Sequence, residues 1–297
     1  MRRRPVGILH PGRMGASVAA TLVNSGCTVL WVSEGRGPET RERAESRGLR
    51  DAGSLDELCR VSHTLFSVCP PHAAEDVARS VASRSFRGLY VDANAIAPDR
   101  AVRIGEVITA AGGAFVDGGI VGGPPSKRGE TWLYLSGSRA GDAAALLSAG
   151  PLETDVLGES VGTASAIKMC YAAYTKGSTA LLSAILAVSG ELGVRAPLMR
   201  QWSRDWPELP AQAERRATRV TAKAWRFAGE MEEIAATFRS AGLPGGFHEA
   251  AADIYRRIAH FKDAKEAPAL DEVLEALGRR DDRHPERSSG EEDETDA

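Results

Sequence analysis

The stretch GILHPGRMGAS, residues 7–17, carries two of the three glycines of a Gly-x-Gly-x-x-Gly turn. Gly12 and Gly15 fill the second and third places, and His10 stands in the first. The apolar run PVGIL (5–9) precedes the turn, and Met14, Val18 and Leu22 follow it at i, i+4 and i+8. This is the pattern of a strand, a glycine turn and an amphipathic helix, the helix predicted over 13–25 and closed by Gly26. In such turns the second glycine lets backbone approach a pyrophosphate and the third lets helix and strand pack closely. The helix N-terminus adds free N–H groups and positive dipole. His10, Pro11, Gly12, Arg13, Met14 and Gly15 are therefore the candidate phosphate loop, with His10 turning the chain without glycine's freedom at positive φ.

Working outward, β-rich runs at 28–32, 63–69, 88–93 and 114–119 alternate with helical patterns near 39–47, 72–82 and 99–111. Further runs at 131–137 and 152–158 extend the alternation. It predicts a parallel, doubly wound sheet, a Rossmann-like α/β domain over 1–158. The texture then changes. Residues 163–192 are apolar with few breakers and predict one long helix. Phe227, Met231, Ile234 and Phe238 form one helical stripe, and Phe247, Ala251, Ile254, Ile258 and Phe261 another. The expectation is a Rossmann-like α/β N-terminal domain followed by an all-α C-terminal domain over 159–278. Residues 279–297, RRDDRHPERSSGEEDETDA, are expected to be a disordered acidic tail.

The 297-residue chain has a formal net charge of -3, which gives no nucleic-acid footprint. No run of about 18 apolar residues suggests a membrane span, and the basic start lacks the apolar segment of a signal peptide. The four cysteines form no CxxC pair and read as free thiols in a reducing, cytoplasmic setting. No His/Cys spacing suggests a metal centre, and no GxSxG elbow is present. At the end of the second strand stands Ser33-Glu34-Gly35-Arg36. Arg36 would pair with the 2′-phosphate of NADP, whereas Glu34 would hold the 2′-hydroxyl of NAD.

The segments GRMGASVAATLVNSG, SVCPPHAAEDV, VDANAIAPD, FVDGGIVGGPP, GTASAIKMCYAAYTKG and KAWRFAGEMEEIAATFRSAGLP occur in one order across residues 5–262. In them the chain resembles the β-hydroxyacid dehydrogenase superfamily, which includes hydroxyisobutyrate and 6-phosphogluconate dehydrogenases and the related imine reductases. The resemblance implies NADP or NAD as cofactor, a small-molecule substrate, a long interdomain helix and a homodimer completed by the helical domain. It implies that Lys168, following Gly162, is the catalytic lysine and that Lys223 lies near the nicotinamide. It implies that Asn94 faces the nicotinamide ribose or amide and that Cys69 and Pro70 border the cofactor. The substrate segment of the superfamily, Asp-x-x-x-Ser-Gly-Gly, matches at Asp117, Gly122 and Gly123. Val121, after Ile120, takes the serine's place. The asparagine one turn beyond the lysine is missing, its two candidate places holding Tyr171 and Ala172.

Chemically, hydride transfer to a C–O or C–N centre needs a group that moves a proton with a workable pKa. A lysine in an apolar cleft beside a cationic nicotinamide has its pKa lowered by desolvation and like charge, which suits Lys168. Tyr171, one turn on, is a candidate to orient substrate or relay a proton, and Lys176, two turns on, to reach the same cleft. Glu230 and Glu233, one turn apart, would suit a cationic or hydroxyl-rich substrate, but read first as a solvated helix face. Three functions are consistent with these residues. They are an NAD(P)-dependent oxidoreductase of hydroxy or keto acids using Lys168 as general acid/base, an imine reductase, and a dinucleotide-binding sensor without catalysis.

Overall fold

In the computed structural model the described residues are 5–264 and 266–278, so the tail expected at 279–297 lies outside them. Eight strands form one sheet: β1 (Val6–Ile8), β2 (Val29–Trp31), β3 (Arg50–Asp51), β4 (Thr64–Ser67), β5 (Leu89–Asp92), β6 (Ala114–Val121), β7 (Thr131–Ser136) and β8 (Leu152–Val156). Their order is β3-β2-β1-β4-β5-β6-β7-β8. Helices α1 (Arg13–Asn24), α2 (Pro38–Glu45), α3 (Leu55–Val61), α4 (Ala74–Ala82), α5 (Pro98–Ala110) and α6 (Ala140–Ala145) connect and flank the strands. The remainder is helical: α7 (Thr163–Glu191), α8 (Arg195–Asp205), α9 (Leu209–Arg219), α10 (Thr221–Ser240), α11 (Gly246–Arg257) and α12 (Leu270–Gly278).

The first six strands are parallel, but β7 pairs antiparallel with β6 and β8 parallel with β7. The expectation of an all-parallel sheet is corrected here. Residues 122–130 are too few for the crossover that a parallel neighbour requires, so the chain turns back beside β6. Strands β1, β2, β4 and β5 are buried throughout, which is why they read as unbroken apolar runs. Alternate residues serve opposite faces. Val29 and Trp31 join one core with Val18 and Leu22 of α1, while Leu30 and Val32 join another with Leu58 of α3 and Ile104 of α5. A third core, built on Met169, Trp202, Met231 and Tyr255, fills the helical part.

Gly26 ends α1 at φ 80°, with Cys27 N bonded to Leu22 O, as its position suggests. The pattern reading overlooked β3, α3, α6, α8, α9 and α12. For α3 a signal existed: Ser54-Leu55-Asp56-Glu57 is a capping sequence, and the Ser54 hydroxyl accepts the Glu57 N–H at 3.2 Å. Phe247, placed at the head of an apolar stripe, is 49% exposed, with one ring edge against Gly177 of α7. Among the described residues no helix is long and apolar enough to cross a membrane.

Helix α7 is about 43 Å long and joins the sheet to the helical part. Its first turn sits on β6, where the backbone approach is close. A Cβ on Gly119 would lie 2.3 Å from the Ala164 carbonyl and 3.0 Å from Lys168 Cβ. The clearance over β6 therefore sets where the Lys168 stem lies.

Candidate active site

The glycine turn lies where the sheet order reverses, between β1 and its neighbours β2 and β4. This is the position at which open α/β sheets bind ligands. Gly12 caps α1 with extended backbone, and Ala16 N donates to its carbonyl at 2.8 Å. Nothing stands within 4 Å of a Cβ built on Gly12, so this face is open. A Cβ on Gly15 would fall 2.0 Å from the His10 carbonyl oxygen, which makes that glycine obligatory for the helix–strand approach. His10 is not at positive φ, so the first place of the motif makes no demand for glycine in this turn. Its ring is neutral at physiological pH: burial, and next the Arg36 charge, push its pKa down to about 4.

Three guanidinium groups gather around the end of β2. Arg36 donates to the Leu9 carbonyl at 3.4 Å, Arg41 to the Ser33 carbonyl at 3.1 Å, and Arg43 to the Pro11 carbonyl at 3.4 Å. Only Arg36 was singled out from sequence. Arg41 and Arg43 lie on α2, and only the packing of that helix brings them to the loop. Ser33 is buried, its N–H held by Asp51 at 3.2 Å, and Glu34 is exposed. His10 Nδ1 and Arg36 Nε are both buried without a hydrogen-bond partner. Two unsatisfied buried nitrogens, an open glycine face and a helix N-terminus make a set that fits a phosphate-bearing dinucleotide.

Asn94 has a different place from the one implied. It is 2% exposed, its Oδ1 accepts Cys69 N–H at 2.6 Å, and its Nδ2 donates to Ser67 Oγ at 3.2 Å. With both amide ends used inside the fold, Asn94 ties the β4 and β5 ends and positions the Cys69-Pro70 turn rather than facing a nicotinamide. Asp117 also departs from its implied substrate role. It is buried and accepts from Ser165 Oγ at 2.6 Å, Ser165 N at 2.9 Å, Gly162 N at 3.0 Å and Ser136 Oγ at 3.2 Å. It anchors the start of α7, where an acidic group complements the free N–H groups and the dipole.

Six residues downstream of Gly162, Lys168 is partly buried, its Cβ set over Gly119 of β6. Burial first, and then the charge of Arg226, bring its pKa down to about 8. Gly122 turns the chain away at φ 118° with its Cβ space taken by the Glu130 carbonyl at 2.6 Å, and Gly123 is open. Lys176 lies deeper, ion-paired with Glu230 and 4.5 Å above the Phe227 ring. The charges of Lys168, Arg226 and Lys223 reach Lys176, and those of Arg226 and Arg13 reach Lys223. Arg13, Lys168, Lys176, Lys223 and Arg226 thus lie close enough for their charges to act on one another.

Tyr171 does not join them. Its ring is 49% exposed on the outward side of α7, beside Ile167 and Tyr174, so the relay role expected of it is not supported. Glu230 and Glu233 also differ from the expected solvated face. Glu230 is buried on Lys176, and Glu233 accepts Ala97 N–H at 2.8 Å and pairs with Arg100 at 2.5 Å. Their spacing on α10 suits ties to α7 and α5. The partners lie over 50 residues away in sequence, where spacing gives no signal.

Comparison with known proteins gives two domain matches. Residues 5–150 match the NAD binding domain of 6-phosphogluconate dehydrogenase, and residues 190–258 match a domain of unknown function, DUF1932. An uncharacterised 28.5 kDa protein of Methanothermus fervidus is 31% identical over 162 residues, 54% of this chain and 61% of the relative's length. Among solved structures, conserved protein MTH1747, described as similar to 3-hydroxyacid dehydrogenases, is 27% identical. It covers 88% of this chain and 100% of its own, with a TM-score of 0.65. The 3-hydroxyisobutyrate dehydrogenase of Mycobacterium tuberculosis, solved with L-serine, shares the fold at 17% identity, 93% and 99% coverage and a TM-score of 0.66. The fold is therefore similar to that of the hydroxyacid dehydrogenases, a sheet domain followed by a helical C-terminal region.

Proposed function

We propose that the protein is an NADP-dependent oxidoreductase that interconverts a small hydroxy acid and its keto acid, with Lys168 as general acid/base. The observation that carries this reading is Lys168 itself: a partly buried lysine at about pKa 8, its stem packed over Gly119 of β6. A bound nicotinamide dinucleotide would supply the hydride donor or acceptor. Lys168 would hold the proton at the substrate oxygen, giving it up in reduction and taking it in oxidation. Gly12 and the start of α1 would receive the pyrophosphate, and Arg36 and Arg41 the 2′-phosphate. Three arginines at the β2 end favour NADP over NAD, because their positive charge outweighs the single carboxylate of the exposed Glu34.

Titration with NADPH and NADH, followed by tryptophan fluorescence, tests the cofactor. Arg36→Ala is expected to weaken NADPH by about 1.5–3 kcal/mol, the range for a charge-assisted hydrogen bond, while leaving NADH nearly unchanged. Equal losses for both would remove the preference. Gly12→Val adds a side chain into open space, so the melting temperature should hold while dinucleotide binding is lost. Unchanged affinity in that variant would take the loop out of the site.

A second reading, imine reduction, has its own support. Val121 stands at the serine place and buried Ala172 at one of the asparagine places, which leaves the floor of the cleft drier. A paired screen of keto acids and cyclic imines with NADPH separates the two readings.

The proposal includes a homodimer. The outward side of α7 exposes Ile167, Tyr171, Tyr174, Leu181, Val188 and Leu192, which follow one another at three- and four-residue steps or their sums. The only charged residues of α7 before Glu191 are Lys168 and Lys176, both turned to the cleft. An uncharged stripe is the same on every copy, so it is self-complementary about a two-fold axis. Light scattering is expected to give a dimer that Leu181→Glu converts to monomer. A wild-type monomer would overturn this part.

A further inference from the structure

Trp132 is an exposed aromatic residue on β7, and the strand fixes which way it faces. Leu133 and Leu135 join the sheet core with Val116 and Ile120. Strand alternation therefore puts Trp132, Tyr134 and Ser136 on the opposite face, the one that carries α7. Ser136 bears out this parity: its Oγ donates to Asp117 at 3.2 Å and accepts the Ala164 N–H of α7 at 3.1 Å. The antiparallel register then sets Tyr134 opposite Gly119 and Trp132 opposite Val121. Side chains directly opposite in such a pair stand about 4.5–5.5 Å apart at Cβ. Gly119 has no side chain, and Lys168 Cβ lies 3.0 Å from where its Cβ would be. Tyr134 is thus the cross-strand neighbour of the lysine stem. Trp132 lies two residues along β7 from it, beside Val121 where β6 ends.

The Trp132 and Tyr134 rings stack, with centroids 6.5 Å apart and planes 23° from parallel. Trp132 keeps 39% of its surface exposed. On its other side the register places Glu153, whose carboxylate is engaged by Arg128 at 3.2 Å. Past Val121 the chain leaves room. The Thr131 hydroxyl donates to the Gly123 carbonyl at 2.6 Å, and nothing stands within 4 Å of a Cβ built on Gly123. The wall beside the lysine stem is therefore flat, uncharged and aromatic. Such a surface offers a compact polar group no ionic grip, but an apolar ring laid on it gains from stacking as well as from area removed from water.

We propose that Trp132, with Tyr134 and Val121, forms the subsite for the substrate's side chain, and that this side chain is an aromatic ring. The proposal rests on the oxidoreductase reading. It narrows that reading to substrates larger than the smallest keto acids, and it assigns their selection to a cross-strand pair of β6 and β7.

The test is calorimetric titration of the full chain with phenylpyruvate and with pyruvate, each with and without saturating oxidised NADP. The oxidised cofactor cannot reduce a keto acid, so the ternary complex does not turn over. The wild type is expected to bind phenylpyruvate about 10- to 100-fold more tightly than pyruvate. Trp132→Ala should bring this ratio below about threefold, and Trp132→Phe, which keeps a ring, should hold an intermediate ratio. The indole is partly in solvent, so both variants should melt close to the wild type. A wild-type ratio near one would overturn the proposal, as would wild-type protein that binds neither keto acid, or an unchanged ratio in Trp132→Ala. Loss of the dimer in Trp132→Ala with the ratio intact would assign the aromatic pair to the subunit interface and overturn it too. The runs without cofactor keep the two readings apart. A chain that binds no dinucleotide refutes the oxidoreductase, while the phenylpyruvate preference still decides the aromatic subsite.

Discussion

Lys168→Met is expected to lower kcat by about 10²–10⁴-fold, the range for a positioned general acid or base, with NADPH affinity unchanged. Methionine keeps the length and apolar stem of the side chain, so packing over Gly119 is preserved and only the proton is lost. The pH dependence follows from the pKa of about 8. Below that value the ammonium form dominates and above it the neutral amine. Reduction, which needs the proton donor, should lose kcat/KM as pH rises through about 8. Oxidation, which needs the acceptor, should lose it as pH falls through the same region. Opposite profiles for the two directions would be a signature of this one group. A Met variant with wild-type turnover would move the proton transfer elsewhere. Arg226→Gln offers a check on the cause: removing the neighbouring charge should shift the inflection upward, because that charge contributes to the depression.

Asp117→Ala is expected to cost about 3–5 kcal/mol of stability, the range for breaking a buried charged network. The carboxylate accepts from two hydroxyls and two backbone N–H groups, all buried. Alanine would strand these donors, which span β7 and the first turn of α7. At roughly 2–4 °C per kcal/mol for a chain of this size, the melting temperature should fall by about 10 °C. Asp117→Asn, which keeps the shape and an acceptor oxygen, should lose less. A scanning-calorimetry trace matching the wild type, coupled with lost turnover, would return Asp117 to the substrate role that the superfamily pattern implied.

These two residues show how the sequence and the packed structure divide the information. The Rossmann-like half is legible because its elements are local patterns. Apolar runs of four to eight residues mark buried strands, the Met14-Val18-Leu22 spacing marks α1, and Gly26 marks its end. Lys168 is legible for the same reason, as one of only two charges in a long apolar segment. Gly15 is legible because a close approach behind a strand demands it, and the 2.0 Å separation bears this out.

What could not be read depends on atoms far apart in sequence. Asn94 looks like a cofactor residue until its amide is seen to be spent on Cys69 and Ser67. Asp117 looks like a substrate ligand until Ser136 and Ser165 fold over it. Tyr171 and Lys168 are one turn apart and were read as one face, but α7 turns the lysine to the cleft and leaves the tyrosine outside. Arg41, Arg43 and Arg226 have no motif at all, and their meaning comes from what surrounds them. By itself, then, the sequence determined the two-part architecture, the glycine loop and the lysine, because periodicity and glycine sterics act within a few residues. Only the tertiary structure decided which polar groups are already satisfied and which face the cleft unpaired, because satisfaction is a property of the partner and the partner is brought by the fold.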